Sequence, residues 1–121
     1  MSVSTHVLDA SRGTPAAGIA VTLATAPDWA ADGAPDWSEV ESGRTDADGR
    51  YRFAAGTPAG SYRLTFATGG YFTAQGTPAF YPEVAITFTI PEPQDPAAGN
   101  TGHFHVPLLL SPFAYSTYRG S

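Results

Sequence analysis

The chain is predicted to fold as an all-β sandwich with Greek-key connections, and three features of the sequence point there. Seven or eight short runs alternate apolar and polar residues at a period of two, the pattern of strands with one face buried. Turn-forming residues separate these runs, with 13 glycines and 11 prolines in 121 residues. Charged residues make up only 14% and Leu, Lys and Glu are scarce, which leaves amphipathic helices little to build on. The length suits a single domain over residues 1–121, able to bury about two thirds of the surface its unfolded chain would expose.

Taken in order, Val3 to Asp9 alternates Val3, Thr5 and Val7 with Ser4, His6 and Leu8, a strand with His6 on its more polar face. Residues 9–15 turn. Gly18 to Thr25 is a half-buried strand with Ile19, Val21 and Leu23 inward. Residues 26–35, APDWAADGAP, form a loop by their Pro, Asp and Gly content, and a third strand spans Asp36 to Thr45. Asp46-Ala47-Asp48-Gly49, flanked by strand-like residues, predicts a hairpin with Arg44 and Arg50 near one end. Ser61 to Thr68 puts Tyr62, Leu64 and Phe66 on one face, whereas residues 69–78 have no clear period and suit a helical turn or an irregular loop equally. Val84, Ile86, Phe88 and Ile90 alternate with Ala85, Thr87 and Thr89 in a strand fenced by prolines. A polar, proline-rich linker over 91–102 leads to a closing hairpin that starts at His103, turns at Ser111-Pro112 and returns from Phe113 to Arg119.

Composition excludes several classes of function. The net charge of −5 and pI near 4.8, with no stripe of basic residues, argue against nucleic acid as a partner. No run approaches the roughly 20 apolar residues of a membrane span. Zero cysteines exclude disulfides and thiolate chemistry, and MSVSTHVLDA has neither a charged n-region nor an apolar h-region, so a soluble cytoplasmic protein is expected.

The closing stretch, HFHVPLLLSPFAYSTYRGS, holds the densest chemistry. His103, His105, Pro107 and Leu109 share one face of its first strand, and Phe104, Val106, Leu108 and Leu110 share the other, which is pure core. The returning strand brings Tyr118, Arg119 and Ser121 back alongside the two imidazoles. Each residue also has a plain structural reading. His6 alone is an ordinary surface histidine, Arg44, Arg50 and Arg52 are solvated charges, Tyr118 is packing, and Ser121 lacks a Ser-His-Asp setting. From the residues themselves the site is a polar cluster without an assigned reaction.

HFHVPLLLSPFAYSTYRGS, with STHVLD at 4–9, RTDADGR at 44–50, GGYF at 69–72 and FYPE at 80–83, resembles the 5-hydroxyisourate hydrolase family, the transthyretin-related enzymes of purine catabolism. The terminal Tyr-Arg-Gly-Ser is its most specific mark, because transthyretins proper lack it. The resemblance implies a prealbumin-like sandwich of two four-stranded sheets with one short helix near Gly70 to Gly76. It also implies a homotetramer with clefts at its dimer–dimer interface and no cofactor. It assigns catalytic roles to His6, Arg50, His103 and Ser121, and substrate contacts to His105, Tyr118 and Arg119. The implied reaction is ring opening of 5-hydroxyisourate by water: His6 or His103 as neutral base, Arg50 holding the oxyanion or orienting the ring. Two alternatives come from other classes. A non-catalytic carrier of aromatic ligands would need an apolar channel, and a zinc hydrolase would gather His6, His103 and His105 around a metal.

Overall fold

The computed structural model describes residues 1–29, 33–92 and 102–120. Ser121, part of the loop at 26–35 and most of the linker at 91–102 therefore lie outside the described residues. The strands are β1 (Ser2–Asp9), β2 (Thr14–Pro15), β3 (Ala20–Thr25), β4 (Ser38–Arg44), β5 (Arg50–Arg52), β6 (Gly60–Phe66), β7 (Val84–Ile90), β8 (His103–Leu110) and β9 (Tyr115–Thr117). One helix, α1 (Thr68–Ala74), follows β6. The first sheet runs β2-β1-β8-β9, with β5 sharing an edge of β1, and the second runs β4-β3-β6-β7. The two-residue β2 makes the first sheet five-stranded, one strand more than the implied four.

Period-two alternation decides which residues meet between the sheets. β1 buries Val3, Thr5, Val7 and Asp9 while Ser2, Ser4, His6 and Leu8 face outward. From the same sheet, β8 adds Val106, Leu108 and Leu110. Opposite them, β3, β6 and β7 contribute Val21, Leu23, Tyr62, Leu64, Phe66, Val84 and Ile90. Between Leu23 and Ala24 the register with β4 skips Val40, passing from Glu41 to Glu39, and Ala24 is buried next to Leu23. Burying these side chains is the main stabilising term, about 1.5–3 kcal/mol for each large aliphatic or aromatic one.

β1 and β8 are adjacent and parallel, from Ser2 opposite His103 to Asp9 opposite Leu110. This is the one parallel pairing among the described strands. Inside it, the Thr5 hydroxyl donates to the Val106 carbonyl at 2.7 Å, so a buried polar group on the core face is satisfied.

The hairpin predicted at Asp46–Gly49 is not one. The turn forms, with the Asp46 carboxylate accepting from the amides of Asp48 at 2.9 Å and Arg50 at 3.0 Å, but its flanks pair elsewhere. β4 pairs with β3 in the second sheet and β5 with β1 in the first, so the turn carries the chain from one layer to the other. Gly49 has φ +75°, its carbonyl accepts from the Val7 amide at 2.8 Å, and a Cβ there would collide with the Val7 carbonyl, so only glycine fits. Tyr51 then reaches across the layers, lying against the bare Cα of Gly43 and donating to the Glu41 carboxylate at 2.6 Å. That cross-layer contact replaces the backbone ladder a hairpin would have had.

The stretch at 69–78 resolves as helix over its first half. Phe72 enters the core, and the Tyr71 hydroxyl donates at 2.8 Å to the fully buried carboxylate of Asp9 at the end of β1. Asp9 also accepts from the Ser11 hydroxyl at 2.6 Å and from the amides of Ser11 and Arg12. Burial opposes ionisation of this carboxyl, but the hydrogen bonds from Ser11, Tyr71 and Arg12 outweigh it and hold its pKa below the ordinary value.

Candidate active site

Strand pairing alone assembles the polar cluster on the outward face of the first sheet. Along β1 and β8 the parallel register sets Ser2 against His103, Ser4 against His105 and His6 against Pro107. On the other edge of β1, antiparallel β5 sets Arg50 against His6 and Arg52 against Ser4. Because directly paired residues share a face, one surface carries three imidazoles, two guanidinium groups and two serine hydroxyls. A cleft of about 440 Å³ opens there, lined by Ser4, Asp46, Arg50, Arg52, His103 and His105 among others.

Hydrogen bonds tie the histidines to β1. The Ser2 hydroxyl lies 2.6 Å from Nδ1 of His103, and the Ser4 hydroxyl lies 2.8 Å from Nε2 of His103 and 2.8 Å from Nδ1 of His105. His103 is exposed and His105 half-buried. Burial first, and then the neighbouring His6, His103 and Arg50, push the pKa of His105 below the ordinary imidazole value. Each of these effects favours the neutral ring, the form that can accept a proton.

Residues 115–120 return beside β8, with Leu108 paired to Thr117 and His105 bridged to Gly120. That register sets Tyr118 level with Pro107 on the histidine face. It sets Arg119 level with Val106 on the face turned toward the core, where its guanidinium sits 5.0 Å from the centre of the Phe104 ring. Arg119 lines a second, apolar cleft of about 240 Å³ together with Ile86, Phe88, Phe104, His105 and Tyr118. Arg44 is also apart from the cluster, donating at 3.0 Å to the Gly18 carbonyl. Ser121 is outside the described residues, although the Gly120 amide donates to the His105 carbonyl at 2.8 Å and so brings the chain alongside His105.

Sequence reasoning overlooked Ser2 and Ser4. The alternation in β1 already placed Ser4 on the face of His6, but only the pairing with β8 brings either serine to an imidazole. The chemistry available is proton transfer by imidazoles beside guanidinium groups suited to a developing oxyanion. Among the described residues, no three His, Cys, Asp or Glu side chains are arranged to hold a metal ion.

The model of the HIUase/Transthyretin family matches residues 3–120. The chain belongs to that family. Among its relatives is the 5-hydroxyisourate hydrolase of Caulobacter vibrioides, 44% identical over 98% of this chain and 97% of its own. The uric acid degradation bifunctional protein TTL of Arabidopsis thaliana is 42% identical over 98% of this chain, which spans only 37% of that longer protein. Among solved structures, 5-hydroxyisourate hydrolase from Klebsiella pneumoniae superposes with a TM-score of 0.79 at 37% identity, covering 100% of both chains. Transthyretin from Sparus aurata superposes equally well, with a TM-score of 0.80 at 34% identity over 98% of this chain and 95% of its own. Backbone likeness does not separate the two branches of the family, so the side chains on the histidine face must.

Proposed function

We propose that this protein hydrolyses 5-hydroxyisourate by adding water to a ring carbonyl and breaking the adjacent cyclic amide bond. The observation that carries the reading is the direct pairing of His6 with Arg50, in the same sheet face as His103 and His105. A neutral imidazole, from His6 or His103, takes a proton from water as the oxygen bonds to the carbonyl carbon. The Arg50 guanidinium holds the oxyanion that develops, and the proton returns to the leaving ring nitrogen as the C–N bond breaks. His105 and Tyr118 line the same face and orient the ring. Ser121 contributes its hydroxyl or its carboxylate, to relay a proton or to orient an imidazole. Arg119, turned onto Phe104, supports that wall from behind.

The face suits this role better than that of a carrier, since a channel for an aromatic ligand needs apolar walls and this one is lined by imidazole, guanidinium and hydroxyl groups. It is also open on one side. Assembly as a homotetramer, with two such faces meeting across a dimer–dimer interface, would enclose it and exclude water; sedimentation checks that assembly. The test of function is to mix the purified protein with freshly generated 5-hydroxyisourate and follow its absorbance against the spontaneous background. Decay should be accelerated, and His6→Asn and His103→Asn should each lower turnover by about two to four orders of magnitude. Decay at the background rate refutes the proposal, as does full turnover in both folded variants.

A further inference from the structure

The Ser4 hydroxyl contacts two imidazoles at once, Nε2 of His103 and Nδ1 of His105, each at 2.8 Å. A surface serine is ordinarily satisfied by water or by one neighbour. Here a single O–H stands between two rings, and it has only one hydrogen to donate. Its oxygen can accept from both rings, but two neutral rings cannot both present a lone pair to it, so their tautomers are coupled. If Ser4 donates to His103, then His105 donates its Nδ1–H to Ser4 and presents a lone pair at Nε2. If Ser4 donates to His105, then His103 donates its Nε2–H to Ser4 and His105 carries its hydrogen on Nε2. Ser2, 2.6 Å from Nδ1 of His103, terminates the chain at its exposed end.

We infer that Ser4 is a positioning residue which locks His103 and His105 into a paired tautomeric state and relays a proton between them. Its catalytic consequence rests on the hydrolase reading above. In the first state the proton reaches His103 through His105 rather than directly, Nε2 of His105 accepting it from the attacking water. The Nδ1–H of His105 passes to Ser4 Oγ while the original hydrogen of Ser4 passes to Nε2 of His103. Serine ends as it began, His105 is neutral again, and the positive charge has moved to His103. The water oxygen keeps the electron pair of its broken O–H bond and uses it to bond the ring carbonyl carbon.

The surroundings favour that direction. His105 is half-buried and faces His6, His103 and Arg50, with Arg52 on the neighbouring strand and the Asp46 carboxylate at the cleft rim, whereas His103 is exposed. A cation is better solvated on the exposed ring, and the stored proton is returned along the same path when the ring nitrogen leaves. The relay lets an inner ring act as base without remaining charged beside Arg50.

The test compares Ser4→Ala with Ser4→Thr, which keeps the hydroxyl and suits a strand. Ser4→Ala should lower kcat by about 10- to 100-fold with KM changed by less than about twofold, and Ser4→Thr should recover to within about fivefold of the parent. A second readout needs no substrate: the ring ¹⁵N shifts of His103 and His105, at a pH where both are neutral. In the parent protein and in Ser4→Thr both rings should show fixed tautomers, and in Ser4→Ala both should move toward those of an unconstrained imidazole. Unchanged ¹⁵N shifts in Ser4→Ala overturn the inference, as does an unchanged kcat in the folded variant or a loss confined to KM. If the parent protein fails to open 5-hydroxyisourate, the hydrolase reading falls alone, because the nitrogen shifts still decide the coupling.

Discussion

Gly120 offers the sharpest single-residue probe of the histidine face. Its backbone is not in the left-handed region, so alanine is conformationally allowed there, and in the bridge to His105 its missing side chain points at the imidazole. A Cβ built on Gly120 would lie 2.5 Å from Cδ2 of His105 and 3.1 Å from its Cβ and Cγ, well inside the 3.4 Å at which ordinary contact begins. The ring must retreat by about 0.9 Å in Gly120→Ala to reach that distance. The Ser4 hydroxyl holds Nδ1 at 2.8 Å and cannot follow, so the bond is stretched or lost. A displacement of this size in a catalytic group costs about a hundredfold in rate. Stability responds differently. Overpacking costs about 1 kcal/mol at the lenient end of its range, because the ring is only half-buried, and replacing glycine by alanine in permitted backbone returns about 0.4–1 kcal/mol through the unfolded state. Initial rates on 5-hydroxyisourate and melting temperatures of the two proteins therefore should part company, with a large loss of rate and a shift of no more than about 3 °C. A folded Gly120→Ala within about threefold of the parent rate would refute the link between His105 geometry and turnover.

Two further outcomes follow from charged groups. Asp9→Ala strips the acceptor from Tyr71, Ser11 and Arg12 in a buried position, and should destabilise the fold by about 2–4 kcal/mol at neutral pH, read by thermal or urea unfolding. Because the native pKa of Asp9 is depressed, its contribution is fully present above the unfolded value of 3.8 and is lost as pH falls through the native one; a gap between parent and variant that widens in acid contradicts this. For activity, if His105 as the first acceptor of the relay sets the acid limb of kcat/KM, the midpoint should lie below 6.5, because burial lowers the pKa of that ring. A midpoint at or above it would remove His105 as the titrating base.

The layered architecture was legible because its signal is local. Alternation at a period of two assigned Ile19, Val21, Leu23, Tyr62, Leu64 and Phe66 to the interior, and it set His103 and His105 on the face opposite Val106 and Leu108. Pairing partners were not legible. Nothing in STHVLD indicates that it runs parallel to HFHVPLLL about a hundred residues later, and without that register Ser2 and Ser4 are unremarkable strand residues. The Asp-Gly turn shows the same limit: its glycine chemistry reports that the chain reverses, while the sheet each flank joins depends on Tyr51 and Gly43 meeting across layers. Periodicity left α1 open between a helical turn and a loop, because seven residues with two glycines have no amphipathic period, and only the resemblance implied a short helix there; tertiary contacts of Tyr71 and Phe72 hold it. In the tail, Tyr118 and Arg119 both line the apolar cleft beside Phe104, a placement that depends on β7 and β8 meeting and has no local signal.

The partnership of β1 with β8 also sets a timetable for biosynthesis. By the time the ribosome has added Ile90, every strand of the second sheet exists and can close its ladder. β1, made first, still has one bare edge, and Val3 and Val7 beneath it lack the cover of Val106 and Leu108. Such an edge is an invitation to off-pathway pairing, and among the described strand edges that pair in the finished fold it stays open longest, since non-local closure is slow. The nascent polypeptide should accordingly be most dependent on chaperone protection between the emergence of β7 and that of β8. Products that stop in that interval would carry a finished second layer and His6 with Arg50, but none of the imidazoles that Ser2 and Ser4 are placed to meet.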